Sequence, residues 1–415
     1  MLEAVIKAVL RLAGTFRISK DSASSLGVVL LGGLALGPLQ PEALAQVTAP
    51  TPLQNSTMVR TQNQKLAQSQ AQAQIQAQTQ AHAQAQTRAQ TQAQTQAQTQ
   101  AQTRAQPQAQ PQAQPQAQPQ VQVNNRGATA TFPSQTDSRI SAYNDAHYSW
   151  TAGDNGRAQL VVFLPGTGGK PRENFPFAVL ANRLGYHVIC LMYPDDIAAQ
   201  QDCVNSSDPD AYIKFRMAVI TGGDSAGRVH VEPPDSIENR LNKLLRFLAA
   251  NQPRQGWEQF LDRNGETAWD KIVITGQSQG GGHAYVIAKN HLVARCITFG
   301  SPKDYSHYFN APAKGFDSNT KTPRTRFFAF NHMEDRKGAC NHEQQMQIFQ
   351  QIGLTAMGQA LADQSSPPYN HAHLIFTDVQ LPNMDNPSVA HGSVISGVAS
   401  VCRPVWQYLL TEPTQ

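Results

Sequence analysis

The sequence predicts an α/β protein whose central sheet is mostly parallel and flanked by helices, with a long low-complexity segment ahead of it. Three observations lead there. From about Thr131 onward, short apolar runs alternate with amphipathic ones, as expected when parallel strands are joined by crossover helices. Near the middle, the apolar run Asp270 to Thr275 passes through Gly276-Gln277-Ser278-Gln279-Gly280 into Gly281 to Ala288, a strand entering a helix through a serine. Residues 64 to 123 are almost wholly Ala, Gln, Thr and Pro, a composition with no large apolar stripe to repay the entropy of ordering.

The chain opens with Lys7, Arg11, Arg17 and Lys20, then the uncharged run Leu26 to Leu36, then Ala43-Leu44-Ala45. A basic stretch, a short apolar core and small residues at the cleavage-defining positions are the marks of a secretory signal peptide, here residues 1–45. An uncleaved anchor is the alternative, and the apolar run is short for a membrane span. Residues 46–130 read as a disordered Ala/Gln/Thr/Pro-rich linker, with the proline repeats after Arg104 extended. Contact with an envelope or matrix polymer through the Gln-rich tract is the functional reading of that linker, and a plain spacer the structural one. Export to the medium, periplasm or cell envelope follows from these segments.

Residues 131–415 form the expected folded domain. Ala158 to Leu164 reads as a strand, Asn174 to Leu184 as a helix and His187 to Met192 as the next strand. An irregular insertion, Pro194 to Pro234, follows, whose Tyr212, Phe215 and Met217 either line a binding pocket or pack. Ser236 to Ala250 is a helix with Leu241, Leu244, Leu245 and Leu248 on one face and Asp235 placed to cap it. Ala294 to Phe299, Arg326 to Phe330 and His373 to Thr377 are the later strands, and Val394 to Leu410 the closing helix.

The glycines around Ser278 carry chemical meaning. A serine exposed at the top of a very sharp strand-to-helix turn leaves no room for side chains two residues before and after it. Gly223-Asp224-Ser225-Ala226-Gly227 has the same spacing, but the alternation and two prolines of Arg228 to Pro234 deny it the following helix. Ser225 therefore reads as a loop residue and Ser278 as the nucleophile.

With this turn in the middle and three more strands after it, residues 131 to 412 resemble the α/β-hydrolase superfamily, most closely secreted bacterial serine esterases and lipases. The resemblance implies that an acid and a histidine follow the serine on loops beyond later strands. His391, between the final strand and the final helix, is the expected base; His371 and His373 begin the last strand and read as structural, as does His283. For the acid, Asp335 after the strand before last is the first candidate, with neighbouring Glu334 and, one strand earlier, Asp304 as alternatives. Each carboxylate also has a plain reading as a solvated loop charge. The family's oxyanion site falls on the backbone of Gln279 and on the loop Pro165-Gly166-Thr167-Gly168-Gly169, with Thr167 the expected donor. Pro165 stands where the family often has histidine.

The implied activity is that of an exported serine hydrolase cleaving small or polymeric carboxylic esters through an acyl-enzyme. Amidase or acyltransferase chemistry on the same residues, or an inert hydrolase fold presented by the linker, are the alternatives. No metal cluster or dinucleotide fingerprint is visible and no cofactor is implied. Residues 127–415 carry 24 Lys and Arg against 26 Asp and Glu, so the folded region is slightly acidic and offers no basic stripe for nucleic acid. Oligomeric state is not encoded in any motif. Five cysteines are an odd number for an exported chain. Cys190 and Cys296 fall in buried strands, and a Cys340–Cys402 bridge is expected in an oxidising compartment.

Overall fold

A computed structural model of the protein describes residues 122–123, 127–153, 156–225, 227–396 and 399–414. The expected signal segment and the Gln-rich tract, with any polymer contact through it, lie outside the described residues.

The central sheet has ten strands. They are β1 (Gln122–Val123), β2 (Thr129–Thr131), β3 (His147–Trp150), β4 (Leu160–Leu164), β5 (His187–Cys190), β6 (Ile272–Gln277), β7 (Arg295–Phe299), β8 (Phe327–His332), β9 (Gln359–Leu361) and β10 (Leu374–Thr377). Their spatial order is β1-β2-β3-β5-β4-β6-β7-β8-β10-β9. The seven strands from β5 to β9 in that order are parallel, and β1, β2 and β3 join antiparallel at one edge. The sheet thus begins ahead of residue 131, in a stretch whose composition reads as linker: an edge strand pairs through its backbone and needs no long apolar run.

Helices cover both faces, so the inner parallel strands are apolar on both sides. Along β4, Leu160, Val162 and Leu164 enter one core and Val161 and Phe163 the other, the two-residue period of a pleated strand. The first core is closed by α2 (Ala211–Thr221), α3 (Ile237–Asn251), α4 (Gln279–Asn290) and α5 (His342–Gln351). The second is closed by α1 (Phe175–Arg183), α6 (Pro387–Ser396) and α7 (Ala399–Thr411). Leu241, Leu244, Leu245 and Leu248 of α3 are fully buried, and each such leucine contributes about 1.5–3 kcal/mol relative to exposure.

Several local expectations are corrected. The cap of α3 is Ser236, whose hydroxyl accepts from the Asn239 N–H at 3.3 Å; Asp235 instead pairs with buried Arg240 at 2.6 Å. The insertion is not irregular: it contains the short helix Ala199–Cys203, α2 and a two-stranded hairpin. Tyr212, Phe215 and Met217 pack into the first core. The span read as one closing helix falls in two, α6 and α7; α6 begins at Pro387, where proline is well placed in a first turn, and His391 lies within it rather than ahead of a helix. The Cys340–Cys402 bridge does not form. The Cys340 thiol donates to Asn341 O at 3.7 Å and that of Cys402 to Ser393 O at 3.2 Å, because the two lie in different cores.

Candidate active site

The carboxyl ends of β4, β6, β7 and β8 converge on one cavity of about 530 Å³, lined among others by Gly166, Thr167, Gln277, Ser278, Lys303 and His391. Ser278 sits between β6 and α4 with φ 54° and ψ −119°. That is a backbone region which non-glycine residues occupy only when the surroundings enforce it, at a cost of about 1–3 kcal/mol. Enforcement comes from the glycines. A Cβ on Gly276 would lie 2.3 Å from the carbonyl carbon of Gly280, and one on Gly280 would lie 2.1 Å from Leu164 O. The turn is further held by Ser278 N–H donating to Phe299 O at 2.8 Å. The serine is half-buried and opens into the cavity.

Ser225, by contrast, lies in the turn between the hairpin strands Gly223–Asp224 and His230–Val231. Its hydroxyl oxygen accepts from the backbone N–H groups of Gly227 and Val229 at 3.0 and 3.1 Å.

His391, on α6, is buried and shares the cavity with Ser278. Its Nδ1 is 2.7 Å from Asp335 Oδ2, while its Nε2 has no hydrogen-bond partner among the described residues. The ring rests against Gly300, where a Cβ would come within 3.2 Å of it. Asp335, fully buried in the turn after β8, uses its other oxygen, Oδ1, to meet Lys303 Nζ at 2.7 Å and to accept from Lys337 N–H at 2.9 Å. Burial pushes this carboxyl up, but the hydrogen bonds and charges of His391 and Lys303 together outweigh it and hold Asp335 below the usual carboxylate range.

The alternative acids are elsewhere. Asp304 is buried in a two-pronged ion pair with Arg216, Nε to Oδ1 at 3.0 Å and Nη2 to Oδ2 at 3.1 Å. Glu334 stays partly exposed and accepts from Gln380 Nε2 at 3.4 Å. Neither lines the cavity. His371 bonds to Glu412 and His373 to Phe327 O. His283 is buried between Tyr193 and Phe215, and burial with the nearby Arg216 charge pushes its pKa well down.

Beside the turn at Ser278, the Gln279 side chain acts as a clamp. Its Oε1 accepts from Thr167 Oγ1 at 3.2 Å and from Ala199 N–H at 2.9 Å, and its Nε2 donates to Ile197 O at 2.9 Å. The glycine loop is fixed from the other side by Gly168 N–H donating to Asp195 O at 2.8 Å. A Cβ at Gly166 would meet Gln277 Oε1 at 2.3 Å and Ser278 Cβ at 3.1 Å, so a side chain there requires the Gln277 amide to move.

Arg216 and Lys303 escape a reading of motifs. Their partners are 88 and 32 residues away, and the visible signal is only the Lys303-Asp304 dipeptide beyond an apolar strand. Among the described residues, no group of three or more His, Cys, Asp or Glu side chains is placed to hold a metal ion.

Fold and site together define an α/β protein with a strained serine at a strand-to-helix turn and a buried Asp–His pair in the same cavity. No family model matches the chain, and no curated protein does. Among solved structures it is similar to a dienelactone hydrolase from Anabaena variabilis, at 13% identity and a TM-score of 0.31 over 66% of this chain and 95% of that one. It is also similar to an acetyl xylan esterase from Aspergillus awamori, at 14% and 0.27 over 48% and 71%. An α/β serine hydrolase without a lid from Xanthomonas campestris matches at 11% and 0.31 over 66% and 94%.

Proposed function

We propose that the protein is a serine hydrolase that cleaves carboxylic esters through an acyl-enzyme on Ser278, with His391 as base and Asp335 as the acid that orients it. The observation carrying this reading is the 2.7 Å contact of Asp335 Oδ2 with His391 Nδ1 in the cavity into which the strained Ser278 opens. A serine hydroxyl is protonated at neutral pH and needs an adjacent base. With Nδ1 committed to Asp335, His391 keeps Nε2 to take the serine proton, and the carboxylate stabilises the imidazolium that results. Ser278 Oγ then bonds the ester carbonyl carbon, and the negative oxygen is met by backbone N–H groups at Gln279 and Thr167. Collapse expels the alcohol, which receives the proton from His391, and water repeats the sequence to release the acid.

Export belongs to the same proposal and rests on residues 1–45 alone; amino-terminal sequencing of the mature chain tests it, with a start at Gln46 expected.

The activity is tested by hydrolysis of aryl esters of increasing acyl length. Ser278→Ala should abolish turnover and Ser225→Ala should leave it at the wild-type level. Equal activity in both variants contradicts the assignment.

A further inference from the structure

The loop Gly300 to Asp304, one strand ahead of the acid, supplies two buried charges that point to different jobs. Asp304 goes to Arg216 on α2. Lys303 goes the other way: its side chain is 3% exposed, and its Nζ lies 2.7 Å from Asp335 Oδ1 and 3.2 Å from Asp335 O. A lysine is costly to bury unless its charge is matched, and this one is matched by the carboxylate that also holds His391. We propose that Lys303 is a positioning residue of the active site, gripping Asp335 so that Oδ2 faces His391.

Two features favour this over simple packing. First, the grip is directional. Lys303 Nζ and Lys337 N–H both take Oδ1, so His391 alone receives Oδ2; rotation of the carboxylate would break three contacts together. Second, the neighbouring titratable groups do not replace the lysine. Facing Asp335 are His391 from α6, Lys303 from the loop after β7 and, in its own loop, the Cys340 thiol, which burial pushes up to about 12 and keeps neutral. The Lys337 side chain bonds Ser388 Oγ instead. His342, at the start of α5, feels the Lys303 charge and is lowered by burial first and by that lysine second. Removing Lys303 therefore leaves the buried carboxylate with the His391 ring and the Lys337 N–H as its partners.

The inference rests on the hydrolase reading above, and the test separates the two. Aryl-ester hydrolysis is measured across pH for the full chain as wild type, Lys303→Met, Asp335→Asn and the double variant. Lys303→Met should lower kcat about 10- to 100-fold, the size of a misplaced catalytic group, and move the acid limb of the kcat/KM profile to higher pH. In the Asp335→Asn background the same change should cost less than about 3-fold, because the residue it acts through is gone. Lys303→Arg, which keeps the charge, should recover most of the activity. An equal cost in both backgrounds, or a Lys303→Met profile that overlays wild type, overturns the proposal. Should Lys303→Met not fold, Lys303→Arg decides: activity within about 3-fold of wild type supports the role, and a loss as large as that of Asp335→Asn overturns it. If Ser278→Ala hydrolyses normally, it is the hydrolase reading that fails; if Ser278→Ala and Asp335→Asn are inactive and Lys303→Met is not impaired, the role of Lys303 alone fails.

Discussion

Arg216 Nη1 donates to the carbonyl oxygen of Gln279 at 2.8 Å, joining helix α2 of the insertion to the residue that follows Ser278. The same guanidinium grips Asp304, and both side chains are about 1% exposed or less. Breaking a buried ion pair by removing one partner strands the other charge. Arg216→Met should therefore lower the unfolding free energy by about 3–5 kcal/mol, and Arg216→Met with Asp304→Leu should recover part of it. Denaturant titration of the two variants measures the difference.

The backbone at Ser278 holds strain that a glycine would relieve. With φ 54° and ψ −119° imposed on a residue bearing a Cβ, Ser278→Gly should be more stable than Ser278→Ala by about 1 kcal/mol, although both should be inactive. Thermal unfolding of the pair reads the gap.

Close approach of the turn to β4 sets a third expectation. A methyl on Gly280 would sit 2.1 Å from Leu164 O and 2.5 Å from Pro165 O, both backbone atoms that cannot swing aside. Gly280→Ala should destabilise the fold by about 3 kcal/mol through overpacking and distort the loop that begins at Pro165, seen as loss of ester hydrolysis in whatever fraction remains folded.

Asp195 predicts a pH dependence of stability. It is 2% exposed, and burial, with Asp196 adding to it and Lys170 opposing it, raises its carboxyl to about 7. The unfolded carboxyl titrates near 3.8, so between these values the folded state holds a proton that the unfolded state has released. Stability from this group is then present below pH 4, falls as pH rises to about 7 and is level above. Asp195→Asn should flatten the decline in melting temperature between pH 4 and 7 and melt higher than wild type at pH 8.

Much of the frame was legible because buried parallel strands write themselves as continuous apolar runs: Leu160 to Leu164 and Ile272 to Gly276 are fully buried. The turn at Ser278 was legible because steric demand at a sharp bend leaves glycines at fixed spacing. Element order singled out His391, which lies on α6 beside Asp335. What was hidden is held by interactions without period or spacing. The antiparallel strands Thr129–Thr131 and His147–Trp150, near one edge of the sheet, are specified by backbone pairing more than by an apolar pattern. Arg216 and Lys303 look like solvated charges in a linear reading, and Asp304 looks like a spare acid, until the fold brings together residues 88 and 32 positions apart. Even Ser236, rather than Asp235, caps α3 because Asp235 is drawn into the Arg240 pair.

The central claim is that Ser278 is the nucleophile and that the Asp335–His391 pair makes it one. Peptide mapping by mass spectrometry after incubation with a fluorophosphonate tests it most directly. The peptide spanning Ser278 should carry the phosphonyl mass in wild type, lose it in Ser278→Ala, and acquire it far more slowly in His391→Ala. Adduct on the Ser225 peptide, or labelling of Ser278 at an unchanged rate without His391, would contradict the account.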